Sequence, residues 1–132
     1  VERVSPPPPP EEHTPEWLLG ELLSNLYIGL CRWHRGEQLT AMHFIQVYAV
    51  EKLVELAPSF ESPAPEVSAD PFAVARRFER RYPETARHLP EFLRGYAGTV
   101  ESARAILGFI EAHVTVNDAI KQRILEMSDP AS

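Results

Sequence analysis

The chain has 132 residues, 44% of them hydrophobic, and carries a net charge of −6. That length supports one core and not two ordinary domains. No apolar run approaches the roughly 20 residues that span a bilayer, and the acidic balance argues against a general nucleic-acid binder.

Six of the thirteen prolines fall in the first fifteen residues, and positions 6–10 are an unbroken run. Such a run cannot form a helix or a central strand; polyproline II is its natural state. Residues 1–14 are read as a stiff Pro-rich linker. A ligand for an SH3 or WW module is the alternative, but no basic anchor stands beside the run. A spacer needs something to separate, and the chain begins at Val1 without an initiator Met. Both features lead us to expect a missing N-terminal domain. No basic-then-apolar leader precedes the linker, so a secretory signal is not expected and the cytoplasm is the expected compartment.

The bundle is expected over residues 15–129, with 130–132 as a tail. Helix A has Thr14 as N-cap, Pro15 at its first position and Glu16 in its first turn. Its apolar stripe is Leu19, Leu22, Leu23, Leu26, Leu30 and Trp33, at steps of three and four. Gly36 ends it, with Arg32, His34 and Arg35 at the C-terminal end. Cys31, the single cysteine, sits in this apolar helix as a structural thiol. Alone it makes no internal disulfide and no Cys-based zinc site.

Helix B is expected from Glu37 or Thr40 to Ala57, with Pro58 as its stop. Its apolar residues cover most of the circumference, which predicts burial on more than one side, in a bundle centre or a subunit interface. A proline-containing loop follows to 69. Asp70 and Pro71 then start helix C, with Val74, Ala75, Phe78 and Tyr82 inward and Pro83 as its end. Short helical pieces are expected at 84–88 and 91–94. Helix D runs from about 99 to 113, and Asn117 caps helix E. No strand-like alternation of useful length appears, and no internal repeat. The expected fold is all-α, an antiparallel bundle of four to five helices.

Chemistry-bearing motifs are absent: there is no GxSxG, Walker loop, GxGxxG or HExxH. The histidines are scattered, so no metal site is expected. Two polar clusters stand out. One is the A–B corner, with Arg32, His34, Arg35 and Glu37 around Gly36 and Tyr27 two turns earlier. The other is Arg76, Arg77, Glu79, Arg80 and Arg81; five of the eleven arginines lie between 76 and 87. Arg76/Arg80 and Arg77/Arg81 are spaced i, i+4 and on one helix would form a fork array for a carboxylate or phosphate. The plain alternatives are a neutralised helix end and a solvated face with Glu79 and Glu84 as partners.

The stretches Asn25-Leu26-Tyr27-Ile28-Gly29-Leu30, His34-Arg35-Gly36-Glu37, His43-Phe44-Ile45-Gln46 and Tyr48-Ala49-Val50 resemble the C-terminal helical domain of the small antibiotic-type nucleotidyltransferases, those of aminoglycosides and lincosamides. So do Asp70-Pro71-Phe72 with Arg76-Arg77-Phe78-Glu79, and Phe109-Ile110-Glu111-Ala112-His113. The resemblance covers about residues 15–127 and rests on packing and turn motifs. It implies a two-domain parent enzyme that uses Mg and a nucleoside triphosphate. There, an N-terminal polymerase-β-like domain carries the Gly-Ser loop and the paired aspartates, and the helical domain closes the acceptor site.

This chain has only Asp70, Asp118 and Asp129, with no paired Asp motif. It is therefore expected to be a substrate-binding and dimerisation part with no catalytic residue, metal or cofactor of its own. The resemblance implies a helical-domain glutamate as the base that activates the acceptor hydroxyl, and Glu37 and Glu21 are the candidates for it. The expected contacts with substrate or adjoining domain are Tyr27, Arg32, Arg35, Glu37, Arg76, Arg77, Glu79 and Arg80. The expected partners are a second copy, through the apolar helix 40–57, and a nucleotidyltransferase domain in cis or in trans. Neither nucleic acid nor membrane is expected. A freestanding helical interaction module is the alternative. A HEPN-type ribonuclease is a further one, resting on Arg81 and His88 with six residues between them, although Pro83 interrupts the helix that would present both.

Overall fold

A computed structural model of the protein describes residues 14–65 and 76–129. The linker before Thr14, the predicted start of helix C at 70–75 and the tail 130–132 lie outside them. Every regular element among the described residues is helical, so the fold is an all-α bundle.

Helix α1 is Pro15–His34. The Thr14 hydroxyl accepts from the Trp17 N–H at 3.2 Å, and Pro15 stands where a missing N–H is harmless. At the other end Gly36 takes φ +83. The Glu37 N–H donates to the Arg32 carbonyl at 2.9 Å and the Gly36 N–H to that of Trp33 at 3.0 Å. This is the paired closure of a helix C-terminus by a left-handed glycine. The buried stripe is the expected one with a small rotation: Leu18 is buried, whereas Leu19 and Trp33 are only partly so.

The second rod is helix α2 (Gln38–Met42), a π-helical stretch His43–Ala49 and helix α3 (Val50–Leu56) in unbroken succession. Pro58 does not stop the chain at once; a 3₁₀ turn, Ala57–Ser59, carries it on. The rod packs along α1, and the two approach closely at Gly29. A Cβ there would lie 2.5 Å from Ile45 Cγ1 and 3.2 Å from Phe44 Cβ. Sequence reasoning missed the π stretch, since the apolar pattern of the rod is nearly continuous.

Helix C differs most from expectation. Arg77 has φ +68, so the described helix α4 begins only at Phe78 and is one turn, Phe78–Arg81. Helices α5 (Pro83–Ala86) and α6 (Leu89–Phe92) are also single turns. Both begin earlier than predicted, because Pro83 and Pro90 occupy first-turn positions, where proline is favoured; Pro83 thus both ends helix C, as expected, and opens α5. Helix α7 is Thr99–His113 as expected. Helix α8 is Asp118–Met127, capped by Asn117, whose Oδ1 accepts from the N–H groups of Ala119 and Ile120 at 2.9 and 3.2 Å.

The core lies between α1, the rod, α7 and α8. Leu22, Leu26, Leu30, Ile45, Leu53, Phe92, Ile106, Leu107, Ile110 and Ile124 are fully buried in it. Ala57, Phe78 and Tyr82 form a smaller satellite that carries the short helices.

Candidate functional site

The α1–α2 corner is ordered by its own charges. Arg32 Nη1 donates to Glu37 Oε1 at 3.0 Å, and Arg35 Nε pairs with Glu37 Oε2 at 3.1 Å. The Arg32 guanidinium also stands over the Phe44 ring, 5.7 Å from its centroid. Glu37 is exposed, as is Arg35, while Arg32 is partly covered. The hydrogen bond from Arg32 is the main cause that holds the Glu37 carboxyl below its ordinary value; desolvation opposes it, and Arg35 adds to the lowering. A carboxylate so stabilised is a poor proton acceptor near neutrality. The geometry therefore fits Glu37 as an anchor for the two arginines better than as a base. Glu21 sits about three turns back along α1, outside the corner.

Tyr27 faces α8 instead. A hydrogen bond to Tyr27 is the leading cause that raises the Arg123 pKa. His34 Nε2 reaches the Met127 carbonyl at 2.7 Å. Both contacts fasten α8 to α1.

The arginine cluster is not the expected array. With Arg77 in the left-handed region, Arg76 and Arg77 precede α4, so the pairs Arg76/Arg80 and Arg77/Arg81 do not share a helix face. The Arg77 carbonyl serves as the first acceptor of α4, from the Arg80 and Arg81 N–H groups at 3.1 and 3.0 Å. Glu79 and Arg80 are exposed on that single turn. Glu84 pairs with Arg87 at 2.9 Å in full solvent contact. Arg81 and His88 occupy separate surroundings. The Arg81 guanidinium lies 5.3 Å from the Tyr82 ring centroid. His88 packs on Phe92 and Phe109 and pairs with Glu91 at 3.5 Å. Cys31 is a free thiol of intermediate exposure.

Two features escaped the sequence reading. Gln46, buried in the π stretch, exchanges two hydrogen bonds with the backbone of Gly95 and a third with Thr99 Oγ1. Glu61 seats α5: its carboxylate accepts from the Glu84 N–H at 3.0 Å and from the Thr85 N–H and hydroxyl at 2.8 Å each. Neither has a local signal, because each pairs with residues 23 to 53 positions away.

No group of three or more His, Cys, Asp or Glu among the described residues is placed to hold a metal ion, and no helix among them is long and apolar enough to cross a membrane. A cleft of about 190 Å³ between Leu18, Val54, Pro58, Phe78 and Arg81 and one of about 380 Å³ around His113 and Lys121 both lie away from the corner. Compared with known proteins, the chain matches no family model, no curated protein and no solved structure.

Proposed function

We propose that the chain is the helical substrate-binding domain of a nucleotidyltransferase, which holds a polar acceptor at the α1–α2 corner and transfers no nucleotide alone. The observation that supports this reading is the corner itself. Arg32, Arg35 and Glu37 form a mutually ordered rim at the end of a helical hairpin, within the stretch where the resemblance is densest. Nucleotidyl transfer needs hard cations held by clustered carboxylate oxygens. In this reading a polymerase-β-like domain, in cis or in trans, supplies them together with the nucleoside triphosphate, and the site of action is cytoplasmic. Self-association through helix 40–57 accompanies it.

A second reading is a freestanding helical interaction module, favoured by the exposure of Leu39, Val47 and Tyr48 on the rod. One experiment separates the two. The purified chain is incubated with magnesium, labelled ATP and a panel of aminoglycosides and lincosamides, and its backbone amide resonances are followed. The expected result is no adenylylation, with resonance shifts confined to the neighbourhood of Arg32, Arg35 and Glu37. Metal-dependent adenylylation proportional to the chain overturns the non-catalytic reading. No shift at the corner with any acceptor overturns the substrate-binding reading in favour of the interaction module.

A further inference from the structure

We infer that the exposed apolar side chains form one self-association surface, shared between the rod and the segment 93–96, with a second copy of this chain as its occupant. The inference rests on the self-association in the proposed function and adds the second half of the surface. Among the described residues, the large hydrophobic ones found exposed are Leu39, Val47 and Tyr48 on the rod and Leu93 and Tyr96 on the segment. These two stretches are far apart in sequence yet joined in space. Gln46, next to Val47, is hydrogen-bonded to Gly95, next to Tyr96, and α2 packs on the 3₁₀ turn Tyr96–Gly98. The two stretches that carry the apolar exposure therefore flank one seam.

The area suits a second copy. At roughly 200 Å² per fully exposed side chain of this size, exposures of 39% to 57% amount to about 450–500 Å² of side-chain surface. A standard interface covers about 800 Å² on each partner, a little over half of it apolar. Tyrosine is among the residue types enriched in such surfaces.

The charges suit it too. Arg94 is exposed on the segment side, and Glu51, one turn beyond Val47 and Tyr48, is exposed on the rod side. A two-fold axis along the seam lays the segment of one copy on the rod of the other. In this arrangement we place Arg94, whose Nε donates to the Glu91 carbonyl at 3.1 Å and whose other guanidinium nitrogens are left for a partner, opposite Glu51 of the second copy, twice, by symmetry. A surface with opposite charges on its two flanks is complementary to itself, whereas a single-signed flank would repel its copy.

Sedimentation of the full chain over about 1–200 µM, a range that brackets micromolar affinity, tests this. The expected result is a reversible dimer, weakened at least tenfold by Leu93→Asp, by Glu51→Arg and by Arg94→Glu, and restored by Glu51→Arg with Arg94→Glu together. All these positions are exposed, so circular dichroism should show an unchanged fold. A dimer lost with Tyr48→Asp but indifferent to Leu93 and Arg94 overturns this inference and leaves self-association through the rod standing. A dimer indifferent to every change places the interface elsewhere and overturns it. A chain monomeric throughout overturns both.

Discussion

Gln46 closes a two-sided amide clamp on Gly95: its Oε1 accepts from the Gly95 N–H at 2.8 Å, and its Nε2 donates to the Gly95 carbonyl at 2.7 Å. A side-chain amide here does what a neighbouring strand would do for the N–H and carbonyl of one residue. The second Nε2 proton goes to Thr99 Oγ1 at 3.0 Å, so the clamp also organises the start of α7, whose N-cap Gly98 offers no side chain. Gly95 has φ +86 and ψ −174, a region open essentially to glycine alone.

Two substitutions follow from that geometry. Gln46→Leu keeps the volume but leaves the part-buried Gly95 N–H unpaired, while the Gly95 carbonyl keeps the Gly98 N–H at 3.2 Å; the expected loss is about 1–3 kcal/mol. Gly95→Ala places a Cβ on a forbidden backbone conformation, with a similar loss of about 1–3 kcal/mol. Urea unfolding checks both. The double variant should lose less than the sum, because one clamp is broken twice. Strict additivity would mean that the two residues are energetically independent.

Gly29 is the contact point of α1 with the rod. A Cβ at that position lies 2.5 Å from Ile45 Cγ1 and 2.8 Å from Ile45 Cδ1. Both atoms belong to a side chain with no exposed surface to retreat into. Gly29→Ala should destabilise the fold by about 1–3 kcal/mol through overpacking. Ile45→Val, which removes the Cδ1 methyl, should recover part of that loss in the Gly29→Ala background while costing about 0.5–1.5 kcal/mol alone. Thermal melts of the three variants read the sign of this compensation. An unchanged Gly29→Ala melt would mean that the helices separate freely at this point.

The legible parts of the fold were those written in short-range chemistry. Thr14, Gly36 and Asn117 mark three helix ends, and the stripe from Val100 to Ile110 gives α7 its bounds. Local reasoning failed where the deciding partner is distant. Pro83 ends helix C as the sequence predicts, but nothing local says that Pro83 and Pro90 also each open a turn, or that Glu61, far upstream, seats the first of them. Arg77 lost its place on a helix to a left-handed backbone that no sequence rule assigns to arginine. At the candidate site, the corner of Arg32, Arg35 and Glu37 was visible because glycine and charge fall within six residues. Gln46 was not, because one glutamine in an apolar helix gives no sign of which backbone it will meet.

The two ends of the hairpin-and-cap system should respond unequally to mutation. Asn117→Ala removes an acceptor held by two backbone N–H groups and should lower stability by about 0.5–2 kcal/mol. Glu37→Gln, by contrast, breaks exposed ion pairs that water and salt already screen. Its melt should coincide with that of the parent in ordinary buffer, even though Arg32 and Arg35 lose their common anchor. Differential scanning calorimetry of both variants makes the comparison. A clear drop for Glu37→Gln would show that the corner is structural.

Glu61 gives the fold a pH dependence of known sign. Its burial acts first, and upward, on the carboxyl pKa. The Glu84 N–H, the Thr85 N–H and the Thr85 hydroxyl together outweigh it, so the folded-state pKa lies below the ordinary value. A group whose pKa falls on folding binds fewer protons in the native state, and stability then rises with pH across its titration. Its contribution is complete above the unfolded-chain value of about 4.3 and is lost as pH falls through that value towards the lower folded one. Glu61→Gln keeps one acceptor but turns an amide donor towards one of the two backbone donors. The variant should be less stable than the parent at pH 7. That gap should narrow below about pH 5, as the parent carboxylate takes up a proton and loses its own advantage. Urea midpoints for both chains at pH 7, 5, 4 and 3 measure the gap. A gap that stays constant over this range would show that the Glu61 contacts act as neutral hydrogen bonds, with no proton linked to folding at that carboxylate.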